Sequence, residues 1–220
     1  MKPILIYAMP RTQSTVILSS TKRKTRLSEP FDGWQLFGRG LKYTPFYPEE
    51  FNTFDEEKWN SIFQTYNDPD TAIKFLGNCL FLCLPARKWY QQVLETQSHD
   101  IFVPMRNLED MLLSNLVALH FGYHKHAEKP LQEITIPETD FFGLNLSFDS
   151  FIRFFPTYGK VVSYDLLPES HFDKSLHNMI PQNSLDKAKY ITNLDFCMEK
   201  ISHLVKYYKP EYDKKISSLS

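Results

Sequence analysis

The chain has 220 residues, 42% hydrophobic and 23% charged, which is ordinary for a globular protein able to bury about 70% of the surface its unfolded form exposes. Lys plus Arg number 25 against 26 Asp plus Glu, so a net charge of −1 offers no general field for nucleic acid or an anionic membrane. No apolar run approaches the roughly 18 residues of a membrane span, and MKPILIYAMPRTQST turns polar where a secretion signal would stay apolar; the expectation is a cytoplasmic protein.

In chain order, residues 2–8 (KPILIYA) read as a strand ended by Met9-Pro10. Residues 14–21 (STVILSST) read as a helix that Thr12 or Ser14 can cap. Strand, tight polar turn and helix open an α/β domain with a parallel sheet. Residues 71–76 (TAIKFL) predict the next strand, and 84–96 a helix begun at Pro85. Residues 100–105 (DIFVPM) form another strand, after which Asn107-Leu-Glu-Asp110 resembles a cap for an amphipathic helix running to about Phe121. Residues 160–164 (KVVSY) give a fourth strand, and 185–207 a long periodic helix stopped by Pro210. Two stretches, 31–69 and 125–157, are aromatic and less regular, with one helix expected over 55–66; they either pack on the sheet or form a lid. Repeats and linkers are lacking, so residues 1–220 are taken as a single three-layer α/β domain with a central parallel sheet.

Cys79, Cys83 and Cys197 are odd in number and without C-x-x-C spacing, and read as small buried hydrophobes. With seven glycines, the chain has little room for glycine-built nucleotide loops.

Two constellations carry chemistry. Pro10-Arg11-Thr12-Gln13-Ser14-Thr15 lies between the first strand and helix, where backbone N–H groups, two hydroxyls and a planar cation suit a phosphate or sulfate. It lacks the glycines and Lys of G-x-x-x-x-G-K-[ST]. Arg106 follows a later strand, where ligands bind in open α/β sheets, and Ser114 lies two turns into the next helix, roughly 10 Å along its axis. The Arg side chain can meet that hydroxyl at one shared anion. Taken singly, they are a surface Arg and a helix Ser.

Together, PRTQST and VPMRNLEDMLLSN resemble the sulfotransferase family, a P-loop-like fold with a P-[KR]-[ST]-G-[ST]-[ST] loop and an R-x-P-x-x-x-x-x-S pair. Arg106 and Ser114 keep that spacing, with Leu108 in place of the usual Pro. Leu27-Ser-Glu-Pro-Phe31 is similar to the family's G/S-E-P-F segment, and Val161 to Leu167 (VVSYDLL) to its late Y-E-D-L strand. The resemblance covers about residues 2–31 and 71–167. It implies transfer of a sulfuryl group from 3′-phosphoadenosine 5′-phosphosulfate to an acceptor hydroxyl, on a carbohydrate or small alcohol, with adenosine 3′,5′-bisphosphate as product and no metal. Arg11 would stabilise the bridging oxygen. Thr12, Gln13, Ser14 and Thr15 would line the 5′-phosphate, and Arg106 and Ser114 would recognise the 3′-phosphate. Gln13 replaces the loop glycine, and Lys74-Phe75-Leu76 stands where cytosolic members carry K-T-H, so no His base is expected there. Glu29 is the candidate base by analogy, with pairing to Arg26 as the structural alternative. The rival expectation is an inactive binding or scaffold protein on the same fold.

Weaker features remain. His120, His124 and His126 lack the H-E-x-x-H of a metal site. Residues 22–26 (KRKTR) read as a solvated helix end or an attractor of anionic ligands. Trp34, Trp59 and Tyr164 can stack on an adenine or sugar, while Lys187, Lys189 and Lys200 are unassigned cations.

Overall fold

A computed structural model describes residues 1–28, 55–77, 80, 83–121, 132–176 and 188–219. Its strands are β1 (Ile4–Ala8), β2 (Thr25–Ser28), β3 (Thr71–Leu76), β4 (Asp100–Pro104) and β5 (Lys160–Val162). All pair in parallel, in the order β2-β3-β1-β4-β5. The helices are α1 (Ser14–Ser19), α2 (Glu56–Tyr66), α3 (Leu84–Thr96), α4 (Leu108–Phe121), α5 (Thr139–Arg153) and α6 (Leu194–Ser217). The α/β class and the parallel sheet agree with the sequence reading. Among the described residues no helix is long and apolar enough to cross a membrane.

β1 and β3 are buried along their whole length, as expected of strands covered on both faces. Alternation sorts their side chains. Ile4, Ile6, Ala8, Ala72 and Leu76 face α1 and the segment around Phe172. Leu5, Tyr7, Ile73 and Phe75 face the larger core beneath α2–α6. There Tyr7 stacks on Tyr90 at 5.6 Å and on Phe151 at 5.2 Å. The Tyr7 and Tyr90 hydroxyls donate to the carbonyls of Phe151 and Phe154, satisfying groups that the last turn of α5 leaves open. The fit leaves no space at Gly77, where a Cβ would lie 2.6 Å from the Tyr7 hydroxyl and 3.0 Å from the Phe151 backbone. Gly159, at φ +140°, leads into β5 with the Ile101 carbonyl 2.8 Å from where a Cβ would be.

Several expectations need correction. Residues 125–157 are not irregular throughout: 139–153 form α5, and Phe141, Leu144, Phe148 and Phe151 repeat at helical spacing toward the core. Packing therefore explains these aromatics. The 22–26 segment is not a solvated helix end, because α1 stops at Ser19 and Thr25–Ser28 is the edge strand β2. Arg23 is buried with a bond to the Lys2 carbonyl, and Arg26 clasps the Thr21 carbonyl. The last helix begins at Leu194 rather than 185, and Pro210 lies inside it. Pro210 forgoes one backbone bond, and the burial of Tyr208 and Tyr212 on either side, against Phe148 and Phe151, offsets that loss. Tyr164 opens a 3-10 turn instead of ending β5.

Candidate functional site

The strand order places a topological switch between β1 and β4. The chain leaves β1 toward β2 and β3 on one side, and leaves β4 toward β5 on the other, which opens a crevice at their carboxyl ends. Arg11 follows β1 and Arg106 follows β4, so both emerge at that crevice. Met105 extends the sheet by donating its N–H to the Val162 carbonyl at 2.8 Å, which fixes the backbone from which Arg106 departs.

The two arginines and Ser114 meet. Arg11 Nε donates to Ser114 Oγ at 3.2 Å, and Arg106 Nη1 donates to the Arg11 carbonyl at 3.1 Å. Ser114 is wholly buried, presented by α4, whose start is fixed by the Asp110 N–H bonding Asn107 Oδ1 at 3.1 Å. That cap was expected. Among the described residues Arg106 has no carboxylate partner, so its guanidinium keeps its charge for an anion.

The loop between β1 and α1 is held in an unusual conformation. Arg11 (φ 69°) and Gln13 (φ 60°) are both left-handed, a region that non-glycine residues occupy at a cost of about 1–2 kcal/mol. Gln13 thus adopts what a glycine would adopt freely, with its side chain exposed. It precedes α1 without a side-chain cap, which corrects the expectation of Thr12 or Ser14 there. The Gln13 carbonyl instead accepts from Val16 and Ile17, each at 3.0 Å. Thr12 is buried, and its hydroxyl donates to the Met9 carbonyl at 2.8 Å, so it braces the turn. Ser14 is buried at the start of α1 and Thr15 is exposed beside it.

One participant is assigned no role by the sequence reading. Lys74 sits in β3 opposite Ile6 of β1, is almost fully buried, and donates from Nζ to Thr15 Oγ1 at 2.8 Å. A lysine within the mostly apolar run TAIKFL was the visible signal, since a charge in a buried strand needs a polar reason to be there. Cationic side chains thus come from just past the ends of β1 and β4 and from within β3, with the hydroxyls of Ser114 and Thr15 as their partners.

Other candidates do not join it. Glu29 lies outside the described residues, as do Trp34, Cys79, His124, His126 and Lys187. Arg26, weighed as the partner of Glu29, donates to the Thr21 carbonyl. Trp59 is a core residue stacked on Phe63 at 5.6 Å, which removes it as an adenine platform. Tyr164 carries Lys174 5.3 Å from its ring centre. Lys189 lies over Tyr190, while Lys200 pairs with Glu138 and lies over Phe196. His120 is paired with Asp140 at 2.6 Å, and no described residues form a metal-binding group. Cys83 and Cys197 are buried free thiols, and burial pushes the Cys83 thiol up to about 11.

A switch point that brings cationic side chains and hydroxyls together has the chemistry that suits an oxyanion. Compared with family models, with curated proteins and with solved structures, the chain has no significant match.

Proposed function

We propose that the protein transfers a sulfuryl group from 3′-phosphoadenosine 5′-phosphosulfate to an acceptor hydroxyl, on a fold of the sulfotransferase type. The observation that carries this reading is the meeting of Arg11, Arg106 and Ser114 at the switch point. Two sequence-distant segments that resemble one family's donor-binding motifs lie in hydrogen-bond contact. The left-handed Gln13 supports it too, because at the motif's glycine position it holds a backbone that glycine adopts freely.

In this reading Arg106 and Ser114 hold the 3′-phosphate, and Ser14 and Thr15 the 5′-phosphate. Arg11, with Lys74 through Thr15, neutralises the charge that develops on the bridging oxygen. The acceptor oxygen attacks sulfur, the sulfur–oxygen bond to the phosphate breaks, and the bisphosphate leaves. Such transfer is mainly positioning plus electrostatic stabilisation, so preorganised cations suffice without a metal. Glu29, directly after β2, is the carboxylate this reading assigns to take the acceptor's proton. A binding protein that holds the bisphosphate without transfer is the second reading, favoured by the exposed Gln13 side chain on the donor loop.

Thermal unfolding with adenosine 3′,5′-bisphosphate, against adenosine 5′-phosphate and ATP, tests the pocket. At about 100 times its dissociation constant a ligand adds about 2.7 kcal/mol. The bisphosphate alone is expected to shift the transition, and Arg106→Ala to abolish that preference with the fold intact. Equal shifts with all three nucleotides, or none, would sink the assignment. A bisphosphate shift without sulfate transfer to hydroxyl acceptors selects the second reading.

A further inference from the structure

A second constellation lies at the amino edge of the sheet, on segments that the Arg11–Arg106 cluster does not use. Asp100 opens β4, whereas Arg106 follows the end of that strand, about 20 Å further along an extended chain. Beside Asp100 the chain that follows β5 folds back over the sheet. Phe172 is buried there against Phe102 at 4.9 Å and bridges to Thr21, just past α1. Two backbone bonds pin the same stretch: the Lys22 N–H donates to the His171 carbonyl at 2.9 Å, and the Asp173 N–H to the Ser20 carbonyl at 2.7 Å.

That frame holds a hydroxyl, an imidazole and a carboxylate in one chain of hydrogen bonds. Ser170 Oγ lies 2.8 Å from His171 Nδ1, and His171 Nε2 lies 3.1 Å from Asp100 Oδ2. A carboxylate only accepts, so Nε2 carries the ring proton and Nδ1 is left bare to accept from the serine. The ring packs against Phe102 at 5.2 Å and its side chain is 21% exposed, while Ser170 is open to solvent. Lys22 Nζ donates to the Glu169 carbonyl at 2.6 Å, which sets an ammonium beside the peptide that leads into Ser170. Asp173, the next carboxylate along the chain, accepts from the N–H and hydroxyl of Ser175.

We propose that Ser170 is an activated nucleophile that takes the acyl group of a small ester, with His171 as its base and Asp100 orienting the ring. Ser170 Oγ attacks the ester carbonyl carbon, and its proton passes to His171 Nδ1. The carbon–oxygen bond to the alcohol then breaks, the alcohol leaves with that proton, and an acyl-serine remains. Lys22 supplies positive charge for the oxyanion that forms in between. A serine alone is a weak nucleophile; a serine within hydrogen-bond reach of a base that a third group orients is the arrangement that activates it. Its open position suits a small ester that needs no pocket. The Arg11–Arg106 crevice takes no part in this chemistry.

Treatment with p-nitrophenyl acetate, followed by mass spectrometry of the digested protein, tests the proposal. Acetylation is expected at Ser170, and far more slowly at Ser175, an exposed serine bonded to a carboxylate without an imidazole. His171→Ala should slow acetylation of Ser170 about 100-fold, the usual worth of a general base. Asp100→Asn should slow it several-fold, and Asp100→Glu should regain part of that loss, which a merely structural carboxylate would not do. Circular dichroism should stay unchanged in Ser170→Ala and Asp100→Asn, which alter an exposed hydroxyl and keep the shape of a side chain. Acetylation of Ser170 no faster than of Ser175, or a rate at Ser170 that either His171→Ala or Asp100→Asn leaves unchanged, overturns it.

Discussion

At the carboxyl edge of the sheet, Arg11 bonds Ser114, Arg106 bonds the Arg11 carbonyl and Lys74 bonds Thr15, around a loop with two left-handed residues. Under α5 and α6, by contrast, Tyr7, Tyr90, Phe148, Phe151, Tyr208 and Tyr212 fill a continuous aromatic layer. The edge gathers like charges and strained backbone, both of which oppose folding, while the layer supplies apolar burial that favours it. Polar preorganisation at the crevice is therefore carried by packing elsewhere in the molecule.

Phe148→Ala attacks the supporting side of that contrast. It removes a ring 4.6 Å from Tyr208 and 6.3 Å from Phe151 and should cost about 3–5 kcal/mol, read from urea unfolding. A loss below about 1 kcal/mol would mean the layer is not the main support.

His99 probes the same core by pH. Its ring is fully buried, edge-on to Trp89, and bonded to the Tyr66 carbonyl; burial lowers its pKa below the ordinary 6.5. The unfolded chain thus takes up the proton first. Stability should be level above about pH 7 and fall as pH drops through 6.5. His99→Gln should flatten that arm, and an unchanged slope would assign the acid sensitivity to other groups.

Gln13→Gly tests the strained side, with the smallest effect. Relieving a left-handed Cβ should raise stability by about 1 kcal/mol. Destabilisation instead would mean that the Gln13 side chain itself supports the loop.

Legibility followed the same division. The bounds of β3 and α3 match the sequence reading to the residue, because TAIKFL is apolar save Thr71 and Lys74 and Pro85 marks a first turn. Arg11, Arg106 and Ser114 were nameable because their spacing is local to two strand ends. β2 was missed: four residues of an edge strand, half-exposed and carrying Arg26, show no run of apolar character. α5 was missed although its aromatics have helical spacing, because an aromatic-rich stretch also fits a lid. Pro210 misled because its tolerance depends on Tyr208 and Tyr212 being buried by a helix distant in sequence, which no local pattern reports.

The central position of β1 has a consequence for synthesis. It ends at Ala8, yet its two neighbours begin at Thr71 and Asp100. A wholly apolar strand leaves the ribosome with both of its edges unpaired. At about 5–20 residues per second it waits several seconds for its partners. Over that interval its apolar side chains and open edges stay exposed, and slower translation between β1 and β4 lengthens the exposure.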